Sequence, residues 1–219
     1  MKKVYNNSTC QIRYKKKLFK ARENKILNAT RALLMSSRNE TVTVSKIAHH
    51  SKIGKGTIYK HFVTKNEIMV RIIIDHEKEL GKKLSMGIKR THEGQPHAAY
   101  RAYFEHRLAE PEFDSLVQKL EKELIGIDDL APQLEELHRI RKENQTTLNS
   151  IFKKNQTKPE GCNEVRLDYY HFACWALAQG AIELYLNKSH HQVDTEHLMN
   201  FIINIGSTFG ISNKYRGAT

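Results

Sequence analysis

The chain has 219 residues, 39 % of them hydrophobic and 27 % charged, with a formal net charge of +12. That length allows one large or two small domains. No apolar run approaches the ~18–20 residues of a membrane span, and three cysteines without zinc-ligand spacing (Cys10, Cys162, Cys174) suit a reducing cytosol better than a disulfide scaffold. The charge is unevenly placed: residues 1–90 carry 22 Lys and Arg against 6 Asp and Glu, and residues 91–219 carry 14 against 18. Basic residues that only solvated the surface would have no reason to gather in one half. The asymmetry points to a nucleic-acid-binding part joined to a part with another task.

In chain order, residues 1–16 are polar and basic without a helical or strand period, and read as a mobile arm. The start lacks the apolar core of a signal peptide, so a soluble, cytoplasmic protein is expected. Arg13, Lys15, Lys16 and Lys17 could reach the minor groove or phosphates of DNA; the plainer reading is a solubilising tail. A helix is predicted over Lys17–Arg38, with Leu18, Ile26, Ala29, Leu33 and Leu34 on its period. Thr43 is placed to cap a short helix whose Val44, Ile47 and Ala48 share one apolar face. Lys52, Ile53 and Gly54 make a turn. A second short helix, Lys55–Phe62, buries Ile58 and Phe62 and exposes Lys55, Thr57, Tyr59, Lys60 and His61. Each of these five can donate a hydrogen bond to a phosphate or a base edge, as a major-groove helix requires.

The run Ser51–Phe62 closely resembles the helix-turn-helix of the tetracycline-repressor (TetR) family: the lysine, glycine, threonine, tyrosine and phenylalanine of the family pattern stand at Lys55, Gly56, Thr57, Tyr59 and Phe62. Thr64-Lys65-Asn66-Glu67 is similar to the family's capped start of helix four, whose lysine meets a phosphate. Two positions depart. The turn's usual alanine-glycine is Ser51-Lys52, so either Lys52 takes a left-handed conformation or the turn shifts by a residue. The recognition helix has Gly54 where the family has a capping serine. The resemblance covers Lys17–Leu80. It implies DNA contacts from Thr43, Lys55, Gly56, Thr57, Tyr59, Lys60, His61 and Lys65.

Helix four is expected from Thr64 to about Leu84, followed by a polar break at residues 91–97. Further helical patterns cover Pro96–Leu108, Pro111–Ile125, Ala131–Asn155, Glu164–Asn187 and Asp194–Ile211, and no useful β alternation occurs. The expected fold is therefore all-α with about nine helices: an arm at 1–16, a three-helix DNA-binding domain at 17–80 and an effector-binding and dimerisation domain at 81–219. The last two helices are the most apolar and must be covered on more than one side. The family pairs them with their copies in a dimer, which puts Ala176, Gly180, Leu184, Phe201 and Ile205 at the interface; the alternative is the core of a monomer. The aromatic set Tyr100, Tyr103, Phe104, Tyr169, Phe172 and Trp175 is the candidate lining of a pocket for a small apolar or amphipathic ligand, against ordinary core packing.

Catalytic chemistry finds little support. There is no nucleophile elbow, no HExxH run and no phosphate loop, and the GKG around Gly56 does not match one. Adjacent histidines (His49-His50, His190-His191) point about 100° apart on a helix and chelate poorly. His171 and Cys174 share a helix face, but read as packed core. Asp128-Asp129 reads as a capping turn. No metal and no cofactor is expected. The reading is a homodimeric regulator of transcription, a repressor released from a palindromic double-stranded DNA operator by a ligand, rather than an enzyme that kept a helix-turn-helix head. An architectural, nucleoid-type DNA binder without an effector is the alternative.

Overall fold

The computed structural model describes residues 5–36, 41–154, 164–187 and 194–208. Arg38, Asn155, Cys162, the His190-His191 pair and the expected end of the last helix at Ile211 lie outside the described residues. The described residues form nine α-helices and no strand: α1 (Tyr5–Ser36), α2 (Val44–Ser51), α3 (Lys55–Ile58), α4 (Lys65–His92), α5 (Ala98–Leu108), α6 (Pro111–Leu124), α7 (Ala131–Lys154), α8 (Glu164–Asn187) and α9 (Thr195–Ser207). None of these is long and apolar enough to cross a membrane. The chain divides into two compact units, Met1–Ile72 with Gly126–Gln133, and Ile73–Ile125 with Leu134–Thr219. The division falls inside α4, not at residue 80; a continuous helix carries no break there for sequence to mark.

In the first unit α1 packs across α2, and α2 meets α3. Ile26, Ile47, Ile58, Phe62 and Ile68 are buried. Thr30, fully buried on α1, satisfies its hydroxyl by donating to the Ile26 carbonyl at 2.8 Å. The structure corrects the arm: α1 is helical from Tyr5, because no proline or glycine interrupts residues 5–36 and the helix propagates past its packed part. Residues 11–22 are exposed, Leu18 among them, although its spacing had placed it on the apolar face.

In the second unit α5 is the central element, packed on α6, α8 and α9. Tyr100 and Phe104 from α5 join Leu84 and Ile88 of α4, Leu148 of α7, Cys174 and Ile182 of α8 and Met199 of α9 in one buried cluster. Two glycines set its spacing. A Cβ at Gly87 would stand 2.7 Å from the Ala98 carbonyl oxygen and 2.8 Å from the Ala99 Cα, and one at Gly206 would stand 2.1 Å from the Phe104 ring. These contacts bring backbone against backbone and backbone against ring, so any side chain there must push packed elements apart.

Candidate functional site

The helix-turn-helix is built locally. Thr43 is extended (φ −119°, ψ 156°), and its hydroxyl oxygen accepts from the Lys46 N–H at 3.3 Å, capping α2 as its spacing predicts. The turn resolves in favour of the strained alternative: Lys52 sits in the left-handed region at φ 54°, ψ 37°. There the Lys52 N–H donates to His49 O and the Ile53 N–H to Ala48 O, closing α2 with the hydrogen-bond pair normally built around a glycine. Gly54 then starts α3 without a side-chain cap.

The second helix is shorter than Lys55–Phe62. Regular α-helix ends at Ile58, and Lys60 and His61 donate to Thr57 and Ile58 in tighter three-residue turns. Lys55, Gly56, Tyr59 and Lys60 are exposed and Thr57 is half-buried. Gly56 has open space where a Cβ would point, so a phosphate could approach its backbone closely. At the start of α4, Thr64 Oγ1 accepts from the Glu67 N–H at 3.1 Å while the Glu67 carboxylate accepts from the Val63 N–H at 2.6 Å. This reciprocal cap fixes the half-buried Lys65 at the first position of the helix.

His61 differs from expectation. Its ring lies 3.9 Å, centroid to centroid, from that of Phe19 on α1, and its Nδ1 is buried without a hydrogen-bond partner among the described residues. Burial pulls its pKa below the usual imidazole value, with Glu23 opposing. The residue packs the two-helix head against α1, whereas the sequence placed it on the exposed face. Helical spacing alone could not show that α1 covers that side.

Within the second unit a half-open cavity of about 680 Å³ opens between α4, α5, α6, α7 and α8. Its lining corrects the aromatic set. Tyr103 and Trp175 border it, but Tyr100 and Phe104 lie fully inside the core, and Tyr169 and Phe172 are exposed, at 64 % and 62 %. The aromatic residues of α5 are all buried and those of α8 are half-buried or exposed, so type and spacing do not tell lining from core.

The polar groups of the cavity were not singled out by sequence. Arg107, buried, donates to both carboxylate oxygens of Asp114 at 2.6 and 2.7 Å and to the Tyr103 hydroxyl at 3.1 Å. Gln118 donates to the same carboxylate at 2.8 Å, and His76 Nε2 lies 3.5 Å from it. Burial opposes the Asp114 charge, but hydrogen bonds from His76 and Arg107 outweigh burial and bring its pKa down to about 2. Arg141 donates to Glu77 at 3.2 Å and through two nitrogens to Glu121, while Asn144 donates to Glu77 at 2.8 Å. His106 stacks on His76 with ring centroids 4.4 Å apart, and burial, then His76, pushes its pKa down to about 3. The only local signal was the Glu110-Pro111 break, which turns the chain so that residues 107 and 114 face each other across two helices.

The expected interface residues Ala176, Gly180, Leu184, Phe201 and Ile205 are all exposed on α8 and α9, Phe201 at 59 %, and a Cβ at Gly180 would meet nothing within 4 Å among the described residues. Cys174 is fully buried next to Ala178 in the core cluster, and burial pushes its thiol up to about 12. Asp128 and Asp129 occupy an exposed single 3-10 turn. Among the described residues no group of three metal-ligating side chains converges.

Residues 26–72 match the family model described as bacterial regulatory proteins, tetR family. No curated protein matches the sequence. Among solved structures, the chain is similar to the transcriptional regulator FadR from Bacillus subtilis, determined in complex with stearoyl-CoA, at 18 % identity and a TM-score of 0.60, covering 86 % of this chain and 98 % of that one. It is similar to a TetR-family regulator from Rhodococcus sp. at 13 % identity and a TM-score of 0.60, covering 87 % and 98 %. The fatty acid degradation regulator FadR from Bacillus halodurans gives 13 % and 0.57, covering 84 % and 97 %. At these identities the solved structures establish a shared fold.

Proposed function

We propose that the chain, whose residues 26–72 match the TetR-family model, is a cytoplasmic, homodimeric transcriptional repressor of that family that leaves a palindromic operator when a small apolar or amphipathic ligand binds its C-terminal unit. The observation that carries the reading is the exposed row of donors on and after α3: Lys55, Tyr59 and Lys60 project beside the open backbone of Gly56. Lys60 reads a base edge; Tyr59, Thr57, Lys55, Thr43 and Lys65 hold phosphates. The helical, basic start of α1 adds Arg13, Lys15, Lys16 and Lys17 as further phosphate contacts.

The dimer is supported by the uncovered apolar residues of α8 and α9, which a second copy would cover and which a palindrome demands. Gly180→Leu tests it cleanly. A Cβ there would meet nothing within 4 Å among the described residues, so the exposed position has room in the protomer, while a dimer contact there is overpacked at a cost of about 1–3 kcal/mol. Analytical ultracentrifugation should show dimers for the wild type and a shift to monomer for the variant. The ligand is supported by the cavity, whose volume falls in the usual range for small-molecule sites, and by the stearoyl-CoA held by the Bacillus subtilis relative. Sequencing the DNA that the purified protein selects from a randomised pool tests the whole reading. A discrete palindrome is the expected result, and uniform coverage would argue for an architectural binder.

A further inference from the structure

The charged groups that line the cavity do not balance. Arg107 and Asp114 pair one to one. Arg141 serves two carboxylates, Glu77 and Glu121, so that cluster is one negative charge in excess. Lys122 and Lys142 complete the charged lining, and four cations stand against three carboxylates. Both lysines are exposed, and neither has an ion-pair or hydrogen-bond partner among the described residues. The surplus is therefore positive, and it sits on the side chains that are free to meet a ligand. It also runs against the composition around it, because residues 91–219 carry 14 Lys and Arg against 18 Asp and Glu.

The surplus has a place. Lys122 and Lys142 each follow directly on a member of the Glu121–Arg141 ion pair, which ties α6 to α7, so both stand at the level of that tie. Ile125 lies one turn after Lys122 and His138 one turn before Lys142, and both are exposed members of the lining. On this α6–α7 edge the cavity opens to solvent. Arg141, half-buried beside it, donates three hydrogen bonds to Glu77 and Glu121 and keeps two of its five N–H groups. Elsewhere in the lining Leu80 and Leu84 of α4 and Leu148 of α7 are buried and apolar.

The cavity thus separates a cationic edge from an apolar interior. An anion at the edge keeps part of its hydration while it gains charged donors, and avoids the desolvation cost of a fully buried ion. A cationic head group would meet like charges there. An alkyl body gains by leaving water for the interior. We infer that the cavity takes an amphipathic anion, an alkyl chain ending in a carboxylate or a phosphate, with its head group held by Lys122 and Lys142 and its chain against Leu80, Leu84 and Leu148. This rests on the reading of the cavity as an effector site.

The test uses four probes with one tail: decanoate, decyl phosphate, 1-decanol and decylamine. They are titrated into the full-length protein at pH 7 by calorimetry and by the emission of Trp175, the only tryptophan, which borders the cavity. At least one anion should bind about tenfold more tightly than decanol and decylamine and shift the Trp175 emission. Which anion leads tells carboxylate from phosphate. The double variant Lys122→Gln, Lys142→Gln changes only exposed side chains; it should weaken that anion about 3–10-fold and leave decanol unchanged. Decanol or decylamine binding the wild type as tightly as both anions would overturn the proposal and leave an effector cavity standing. A preferred anion that binds the double variant unchanged, or leaves the Trp175 emission unmoved, would overturn the assignment to this edge. If none of the four probes binds, the effector reading of the cavity falls, and the proposal with it.

Discussion

The surface after α3 and the cavity of the second unit both gather polar side chains, and they do so in opposite ways. On the head, Lys55, Tyr59 and Lys60 are exposed, and no ion-pair partner for either lysine occurs among the described residues. In the cavity, Arg107, Arg141, Asp114, Glu77 and Glu121 are held in pairs and bidentate contacts. A surface that must meet a polyanion keeps its donors free, because each phosphate contact displaces condensed counterions and gains from that release. A buried charge such as that of Arg107 or Asp114 cannot be left free, since an uncompensated buried ion costs several kcal/mol. In the function proposed above, the same residue types therefore serve for binding in one place and for architecture in the other.

The contrast breaks most readily at Asp114. Asp114→Ala leaves the Arg107 guanidinium buried without its carboxylate, and should destabilise the fold by about 3–5 kcal/mol in denaturant titration. A loss below about 1 kcal/mol would mean that the pair is no better than a surface one.

Acid should act on the cavity in two windows. His106 has its folded pKa depressed to about 3 from 6.5. Below pH 6.5 the unfolded chain therefore takes up a proton that the folded one refuses, and stability falls as pH drops from about 6.5 towards 3. The effect is on the order of 1–4 kcal/mol. Asp114 adds nothing until pH passes its ordinary value of 3.8, after which its contribution is lost on the way to about 2. Unfolding midpoints measured from pH 7 to 4 should decline in the wild type and stay flatter in His106→Phe. Equal slopes for the two proteins would take His106 out of the account.

On the head, Lys60→Ala should cost about 1–3 kcal/mol of operator binding and relax preference at one base pair, with the fold unchanged. Selection from a randomised pool reads both effects, and an unchanged preference would return Lys60 to the phosphate contacts. The smallest effect is expected at Lys52. Its left-handed backbone costs a non-glycine residue about 1 kcal/mol, so Lys52→Gly should raise stability by about that amount. A thermal midpoint that drops would show that the lysine side chain contributes something beyond the turn.

The head was legible because its information is local. A cap at Thr43, apolar spacing through Val44, Ile47 and Ala48, and the Thr64–Glu67 pair each lie within one or two helical turns, and the structure forms each of them. Even the departure at Lys52 could be located in advance, though not which way it would resolve. Where the head did surprise, at His61, the cause is Phe19, more than forty residues earlier in the chain. The aromatic set of the second unit failed for the same reason: Tyr100 and Tyr103 lie one helical turn apart in one buried cluster, and only the arrangement of α4, α6, α7 and α8 around them leaves Tyr103 bordering the cavity as well.

By itself, then, the sequence determined the all-α class, the helix-turn-helix and its donor row, and the confinement of positive charge to the N-terminal part, since capping, helical period and charge act over a few residues or over the whole composition. Tertiary structure alone decided that Arg107 meets Asp114, that Arg141 divides itself between Glu77 and Glu121, and that His106 lies neutral beside a cavity. Those pairings join side chains from different helices, and their energies depend on burial, a property that no single segment of the chain possesses before the helices pack.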